Sequence, residues 1–374
     1  MTESMYYKKL DIIRKLMEDK EEFLSSYATL SKHAERKVKE PLSSIRKEFQ
    51  RDRDRIIHTN SFRRLKHKSQ VFVAPIGDHF TTRLTHVIEV SQVGRSIARA
   101  LNLNEDLVEA IALGHDLGHT PFGHIGESML NKLLSKGFHH SKQSVRLVTK
   151  LEKNGKGLNL TNQVIEGIKN HSKPEGEFLN YDSVKYLSLE AQIVRISDAI
   201  AYLAHDILDA IRSKFLTIDQ FPPKIIEKLG KRHSERINTI VTDVIINSLD
   251  CVDNDLIKDQ LGWEDNLSNG EMPWIRMSKE LSEIFTELRN YMFKNFYHII
   301  SDSDIGITAS KIIEVIFEYL CNNDNLIPKW IRDISNTKEV AVSDYLCGMT
   351  DNFALSFAEN IYPGISKEIF QGRI

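Results

Sequence analysis

The sequence predicts an all-α fold, on three observations. Apolar residues return at steps of three and four along most of the chain, strand-type alternation is confined to one short stretch, and no run rich in proline, glycine or serine divides it. The first clear segment, Leu84 to Leu101, carries His86, Val90, Val93 and Ile97 on one stripe, so a histidine shares the buried face. The second, Glu105 to His115, repeats the pattern at Val108, Ile111, Ala112 and His115 and runs out at Gly118. The third, Leu187 to Ile211, turns Ile193, Ile196, Ile200, Leu203, Ile207 and Ile211 inward, and Glu280 to Ile300 and Ser310 to Leu320 also read as helices. The exceptions are local. Val71 to Ala74, ahead of Pro75 and Gly77, reads as a short strand or hairpin arm, so any small β element belongs near residues 70–80, and Lys153 to Gly157 reads as a turn.

With 41% hydrophobic and 27% charged residues, the 374-residue chain can bury a sizeable core, and disorder is not its expected state. The expected organisation is one large domain with appendages: an N-terminal helical extension over 1–50, a core over 51–215, and a C-terminal helical region over 216–374 packed on that core. A formal net charge of -2 argues against bulk attraction to polyanions. The basic runs at Arg51–Arg55 and Arg63–Lys68 are either phosphate-binding or solvated helix faces. Cys251, Cys321 and Cys347 form no paired spacing, which excludes a disulfide framework and a cysteine-ligated zinc site. The N-terminal residues lack an apolar signal core and no stretch reaches the roughly 20 apolar residues of a membrane span, so the expected location is the cytoplasm, with no membrane partner.

Chemistry concentrates in four side chains. His115 and Asp116 end an apolar helix, and neighbours about 100° apart reach one ion only if it sits over the helix edge. Such a dipeptide alone means little. His86 and Asp198, however, each occupy an apolar helix of their own, and buried charges need partners. One histidine on an apolar face is usually a satisfied core residue, but three helices each presenting such a group inward are hard to explain by packing. Two imidazoles and two carboxylates suit Mn²⁺, Fe²⁺, Co²⁺, Ni²⁺ or Zn²⁺, and suit Mg²⁺ less.

The runs RDRDRIIH (51–58), FRRLKHKSQVF (62–72), TRLTH (82–86) and HDLGHTPFGHIGE (115–127) resemble the deoxyguanosine triphosphate triphosphohydrolase-like family of the HD superfamily. So do SDAIAY (197–202) with Asp206, and VSDYLCGMTD (342–351). The resemblance implies an HD-domain helical bundle with additional helices, in which His86, His115, Asp116 and Asp198 hold the metal and His124 and Glu127 form a catalytic pair. It further implies that His119 and His140 meet phosphate or assist proton transfer, that Arg83 points its planar fork at a phosphate, and that Tyr202 and Asp206 position sugar and phosphates. Gln70 matches a reader of the deoxyribose 3′-hydroxyl, and Val71 would crowd a 2′-hydroxyl; Ala199 stands where some relatives carry a phosphate-binding lysine.

The implied reaction is hydrolysis of dGTP or other deoxynucleoside triphosphates at the α-phosphorus, giving a deoxynucleoside and inorganic triphosphate. The cofactors are Mn²⁺ or another transition ion at the HD site and Mg²⁺ on the substrate phosphates, which bring about four negative charges. A homo-oligomer is expected by the same resemblance, while a second deoxynucleotide as activator and single-stranded DNA binding stay open. Two other classes fit the four ligands: another HD-type nucleotidase or phosphodiesterase, and a non-enzymatic nucleotide sensor, which would need no His124–Glu127 pair.

Overall fold

The computed structural model describes residues 3–72, 80–172, 180–253, 259–260, 262–263, 267 and 271–366. Numbering only the helices used below, these are α1 (Glu3–Asp19), α2 (Glu48–Ile57), α3 (Arg83–Ala100), α4 (Glu105–Gly114), α5 (Gly123–Leu133), α6 (His140–Arg146) and α7 (Asn162–Asn170). They continue as α8 (Leu189–Arg212), α9 (His233–Asn247), α10 (Lys279–Met292), α11 (Asp304–Asn322), α12 (Lys338–Cys347) and α13 (Asp351–Ile361). The starts follow capping chemistry, since short polar side chains take up otherwise orphaned N–H groups. Thr82 accepts from Thr85 N at α3, Asn104 from Asp106 N and Leu107 N at α4, and Ser188 from Ala191 N at α8.

The fold is all-α: among the described residues there is no strand, only isolated antiparallel bridges at Ser69–Thr82 and Arg36–Thr161. The first bridge brackets the expected β element. Val71 and Phe72 lie in a bend, and residues 73–79 are outside the described residues. The expected turn at Lys153–Gly157 is present, with Lys153 and Asn154 both at φ 55° and the glycines at 155 and 157 at φ 93° and 72°. Two successive non-glycine residues in the left-handed region break the helical path there.

Helix α4 is the hub, packed against α2, α3, α7 and α8, while α8 runs along α3. Close approach of α3 and α4 depends on Gly94, where an added Cβ would stand 2.8 Å from Val108 Cγ1. The C-terminal helices are tied to this bundle by polar contacts as well as by apolar packing. Asp351, at the start of α13, accepts from Ser69 N at 2.9 Å and Phe122 N at 3.0 Å, and Asp344 on α12 binds Arg146 at 2.6 to 2.9 Å and Gln143 at 2.9 Å. The run Val342–Asp351 therefore clamps the segment carrying His115–His124.

The basic run at Arg51–Arg55 is spent inside the protein. Arg51 pairs with Glu48 and Glu40, Arg53 with Asp54 and Glu109, and Arg55 with Glu40. Its guanidiniums brace the bundle rather than offer a phosphate surface. Lys68, in the second run, is fully buried, and its Nζ donates to the carbonyls of His119 at 2.5 Å and Cys347 at 2.6 Å, linking the HD turn to α12. Burial pushes its ammonium down to about 8. Replacing Lys68 with Met is expected to leave both carbonyls unpaired and to destabilise the fold by about 2 to 6 kcal/mol, at about 1–3 per orphaned group. Chemical denaturation checks this: a lowered midpoint at unchanged m is expected, and an unchanged midpoint would show that the two carbonyls find other donors.

Candidate metal centre and catalytic cleft

Each ligand-type side chain is delivered by a different structural device. His86 lies one turn into α3, 1% exposed. His115 follows the last residue of α4, and its Nδ1 donates to the Ala112 carbonyl at 2.7 Å, so Nε2 faces inward as a lone pair with no hydrogen-bond partner. Asp116 sits in the tight turn after it, and Asp198 stands in the middle of α8. The four converge: His86 Nε2 lies 3.1 Å from Asp198 Oδ1, and His115 Nε2 lies 3.5 Å from Asp116 Oδ1 and 3.8 Å from Asp198 Oδ1.

Ligands of one ion at about 2.1 Å must lie roughly 3.0 to 4.2 Å from one another, so these separations fit a single divalent ion. The orphaned, buried His115 Nε2 points the same way. Burial holds His86 below its ordinary value, which keeps it neutral and able to ligate. Burial alone would raise Asp116, but the Arg83 guanidinium paired with it opposes this and the carboxyl lies well below the usual range, so it stays anionic.

The surrounding cleft, about 160 Å³, is lined by Gln70, Arg83, His119, His124, His140 and Tyr202 together with His86, Asp116 and Asp198. A larger cleft of about 820 Å³, lined by Arg64, Trp330 and Tyr345, contains none of the four ligand-type groups, so the titratable cluster and not the cleft size marks the chemistry. Arg83, 1% exposed, donates through one terminal nitrogen to Asp116 Oδ2 at 2.6 Å and leaves Nε and the other terminal nitrogen buried without partners. Two unsatisfied donors on a fixed guanidinium beside a cleft are suited to meet an anion. Gln70 likewise presents an unpartnered Oε1.

His124 and Glu127 do lie on one helix, because α5 begins at Gly123. That start needs glycine: φ is 58°, and a Cβ would meet the Gln70 carbonyl at 2.8 Å and the Arg83 guanidinium at 3.0 Å. The pair is looser than the spacing suggests, with His124 Nδ1 3.4 Å from Glu127 Oε2 and the His124 side chain 54% exposed. Glu127 holds His140 more closely. Its Oε1 accepts from His140 N at 2.8 Å, and its two oxygens lie 2.8 and 3.0 Å from His140 Nδ1. Burial would raise Glu127, but His140 and His124 hold it far below the usual carboxylate range. Burial would favour neutral His140, and Glu127 outweighs it and raises its pKa. His119 lies beneath, stacked on His140 at 4.1 Å, and burial together with Arg83 keeps it neutral.

Two of the expected site residues lie outside the lining of this cleft. Val71 is half-buried and packs against the apolar core outside the cleft lining, because with Gln70 turned into the cleft its neighbour faces away. Asp206, 1% exposed, also stands behind the lining, where it accepts from Tyr297 Oη at 2.7 Å and lies 3.3 Å from His205 Nε2. It supports the Tyr297 ring on which Tyr202 stacks at 5.2 Å.

Four site residues escaped the sequence reading. His171 ends α7, its ring 4.7 Å from that of His115. His205, fixed between Glu89 and Asp206, backs the His86 ring at 5.1 Å; burial works against its cation, but the two carboxylates raise it to about 9. Arg289, near the end of α10, and Phe293, which follows its last residue, close one side of the cleft. The signal for the last two was a polar position at i−4 from an aromatic on a helix already recognised; nothing in the sequence distinguishes His171 or His205 from the chain's other histidines.

The chain is similar to known proteins over most of its length. Residues 83–203 match the model of the HD domain, and residues 275–360 that of a phosphohydrolase-associated domain. A deoxyguanosinetriphosphate triphosphohydrolase-like protein of Caldanaerobacter subterraneus is 45% identical over 365 residues, spanning 96% of this chain and 99% of that protein. Proteins of the same name from Desulfatibacillum aliphaticivorans (44%; 94% of this chain and 98% of that one) and Clostridium perfringens strain SM101 (46%; 87% and 90%) are similar over nearly as much.

Proposed function

Because the chain belongs to the family of deoxyguanosinetriphosphate triphosphohydrolase-like proteins, we propose that it is a metal-dependent hydrolase that removes triphosphate whole from deoxynucleoside triphosphates. Membership and the HD match support a phosphohydrolase. The observation that carries the finer reading is the convergence of His86, His115, Asp116 and Asp198 beside a buried Arg83 with two unused donors. His86, His115, Asp116 and Asp198 would hold a divalent ion, which when bound would supply a more acidic water and offset phosphate charge.

The chain's own residues do the rest. Arg83 donates to phosphate oxygens in the water-poor cleft, where such contacts are strengthened. His119 and His140 face the polyphosphate from the same wall. His124, exposed at the cleft and beside ionised Glu127, holds a proton for the departing 5′-oxygen. Gln70 Oε1 accepts from the sugar 3′-hydroxyl, and Tyr202, stacked on Tyr297, walls the sugar pocket. Mg²⁺ arriving with the substrate would offset part of its phosphate charge.

Product identity tests the reading. Metal-loaded protein given each deoxynucleoside triphosphate should release deoxynucleoside and inorganic triphosphate, with kcat/KM for dGTP exceeding that for GTP by at least roughly 10-fold. Release of orthophosphate or pyrophosphate would assign the chain to the wider HD nucleotidases, and binding without product would make it a sensor.

A further inference from the structure

Asp351 opens α13, yet its carboxylate does nothing for that helix. The start of α13 is capped by the Thr350 side chain, which accepts from Phe353 N. Asp351, 3% exposed, turns instead to two segments 282 and 229 residues away in the sequence. Its Oδ2 accepts from Ser69 N at 2.9 Å and from the Ser69 hydroxyl, and its Oδ1 accepts from Phe122 N at 3.0 Å. An ionised carboxylate only accepts, so its two oxygens can take both N–H groups without presenting a donor to either.

Each of these segments carries a cleft group. Gln70, next after Ser69, is 5% exposed, lines the cleft and has the unpartnered Oε1. Phe122 stands two residues before His124 at the start of α5, with φ 61° and no side-chain cap on that helix end. A non-glycine residue stays in the left-handed region only where its surroundings hold it there, and the hydrogen bond from Phe122 N to Asp351 is such a hold. The two segments also abut, since a Cβ on Gly123 would stand 2.8 Å from the Gln70 carbonyl oxygen. Asp351 itself is outside the cleft lining, so it acts only through what it holds.

We propose that Asp351 is a positioning residue for the hydrolysis: one carboxylate sets the separation between Gln70, at the sugar, and His124, at the departing oxygen. This role presupposes those proposed above for Gln70 and His124. Misplacing a reacting group by about 1 Å through a change remote from the chemistry can cost about 10²-fold in rate. Two backbone segments joined at one carboxylate are displaced together when it is lost.

The test uses metal-loaded full-length protein with dGTP and with 2′,3′-dideoxy-GTP, which lacks the 3′-hydroxyl. The parent should favour dGTP in kcat/KM by at least roughly 10-fold. Asp351→Asn keeps the shape but turns an amide NH₂ toward one of the two N–H groups, so at least one tie is lost. Its kcat for dGTP should fall about 10²-fold and its preference for dGTP over the dideoxy analogue should shrink to about 2-fold or less, with metal content as in the parent. His124→Ala should add less than about 10-fold on top of Asp351→Asn, because effects on coupled groups do not add. A residue that only stabilised the fold would lower the denaturation midpoint and leave both the sugar preference and the His124→Ala factor at parent values, and that result overturns the proposal. If Asp351→Asn does not fold, Ser69→Ala decides. It removes one tie on the Gln70 side and keeps that to Phe122 N, so the sugar preference should shrink while the His124→Ala factor holds; an unchanged preference overturns the proposal. A parent that releases no triphosphate overturns the proposed function instead. A parent that hydrolyses both nucleotides equally takes Gln70 out of the sugar site, and the proposal with it.

Discussion

Asp198→Ala loses bound metal and turnover together. Asp198 Oδ1 is the group that both His86 Nε2, at 3.1 Å, and His115 Nε2, at 3.8 Å, approach, and it comes from the middle of α8. Removing it leaves two buried imidazoles and one carboxylate, with less charge and an incomplete geometry. Loss of a mere outer partner lowers metal affinity by about 10–100-fold, so loss of a ligand should exceed that. The helix itself should survive, since alanine is the best helix former and Asp198 is not among the buried core residues. Elemental analysis, circular dichroism and an activity assay on one preparation check this. Full metal occupancy with persisting turnover in a folded variant would remove Asp198 from the ligand set.

His124→Ala is expected to do the opposite: metal content stays as in the parent while the chemical step slows by about 10² to 10⁴, the range of a positioned acid or base. The structure sharpens the reason. His124 is half-exposed; it meets Glu127 at 3.4 Å, and its ring stands 6.1 Å from that of Tyr202 on the cleft wall. It can therefore leave without disturbing the buried set beneath it. Single-turnover rates would fall with little change in KM. A variant that loses metal but keeps a normal rate per loaded site would make His124 a ligand rather than a proton carrier.

The long helices were legible because each is amphipathic. The steps of three and four in Leu84–Leu101 and Leu187–Ile211 became α3 and α8 with ends moved by one or two residues, as capping by Thr82 and Ser188 requires. Convergence of His86, His115, Asp116 and Asp198 was legible too, because each occupied an apolar stripe where a lone charge would be unfavourable. Partner choice was not. Spacing linked Glu127 to His124, three residues away, yet Glu127 sits closer to His140, thirteen residues on and on another helix. The basic run at Arg51–Arg55 could equally have faced solvent or phosphate until Glu40, Glu48 and Glu109 were brought against it.

What the sequence determined by itself was an all-α chain, a mixed set of nitrogen and oxygen groups able to hold a metal, and the family to which its motifs point. These depend on periodicity and residue type, which are local. Only the tertiary structure decided that Val71 and Asp206 stand behind the cleft, that Lys68 and Asp351 clamp the HD turn, and that His171 faces His140. Each of those facts joins residues from separate elements, and a hydrogen bond or ligand bond depends on distances of a few tenths of an ångström that packing sets and one-dimensional spacing does not.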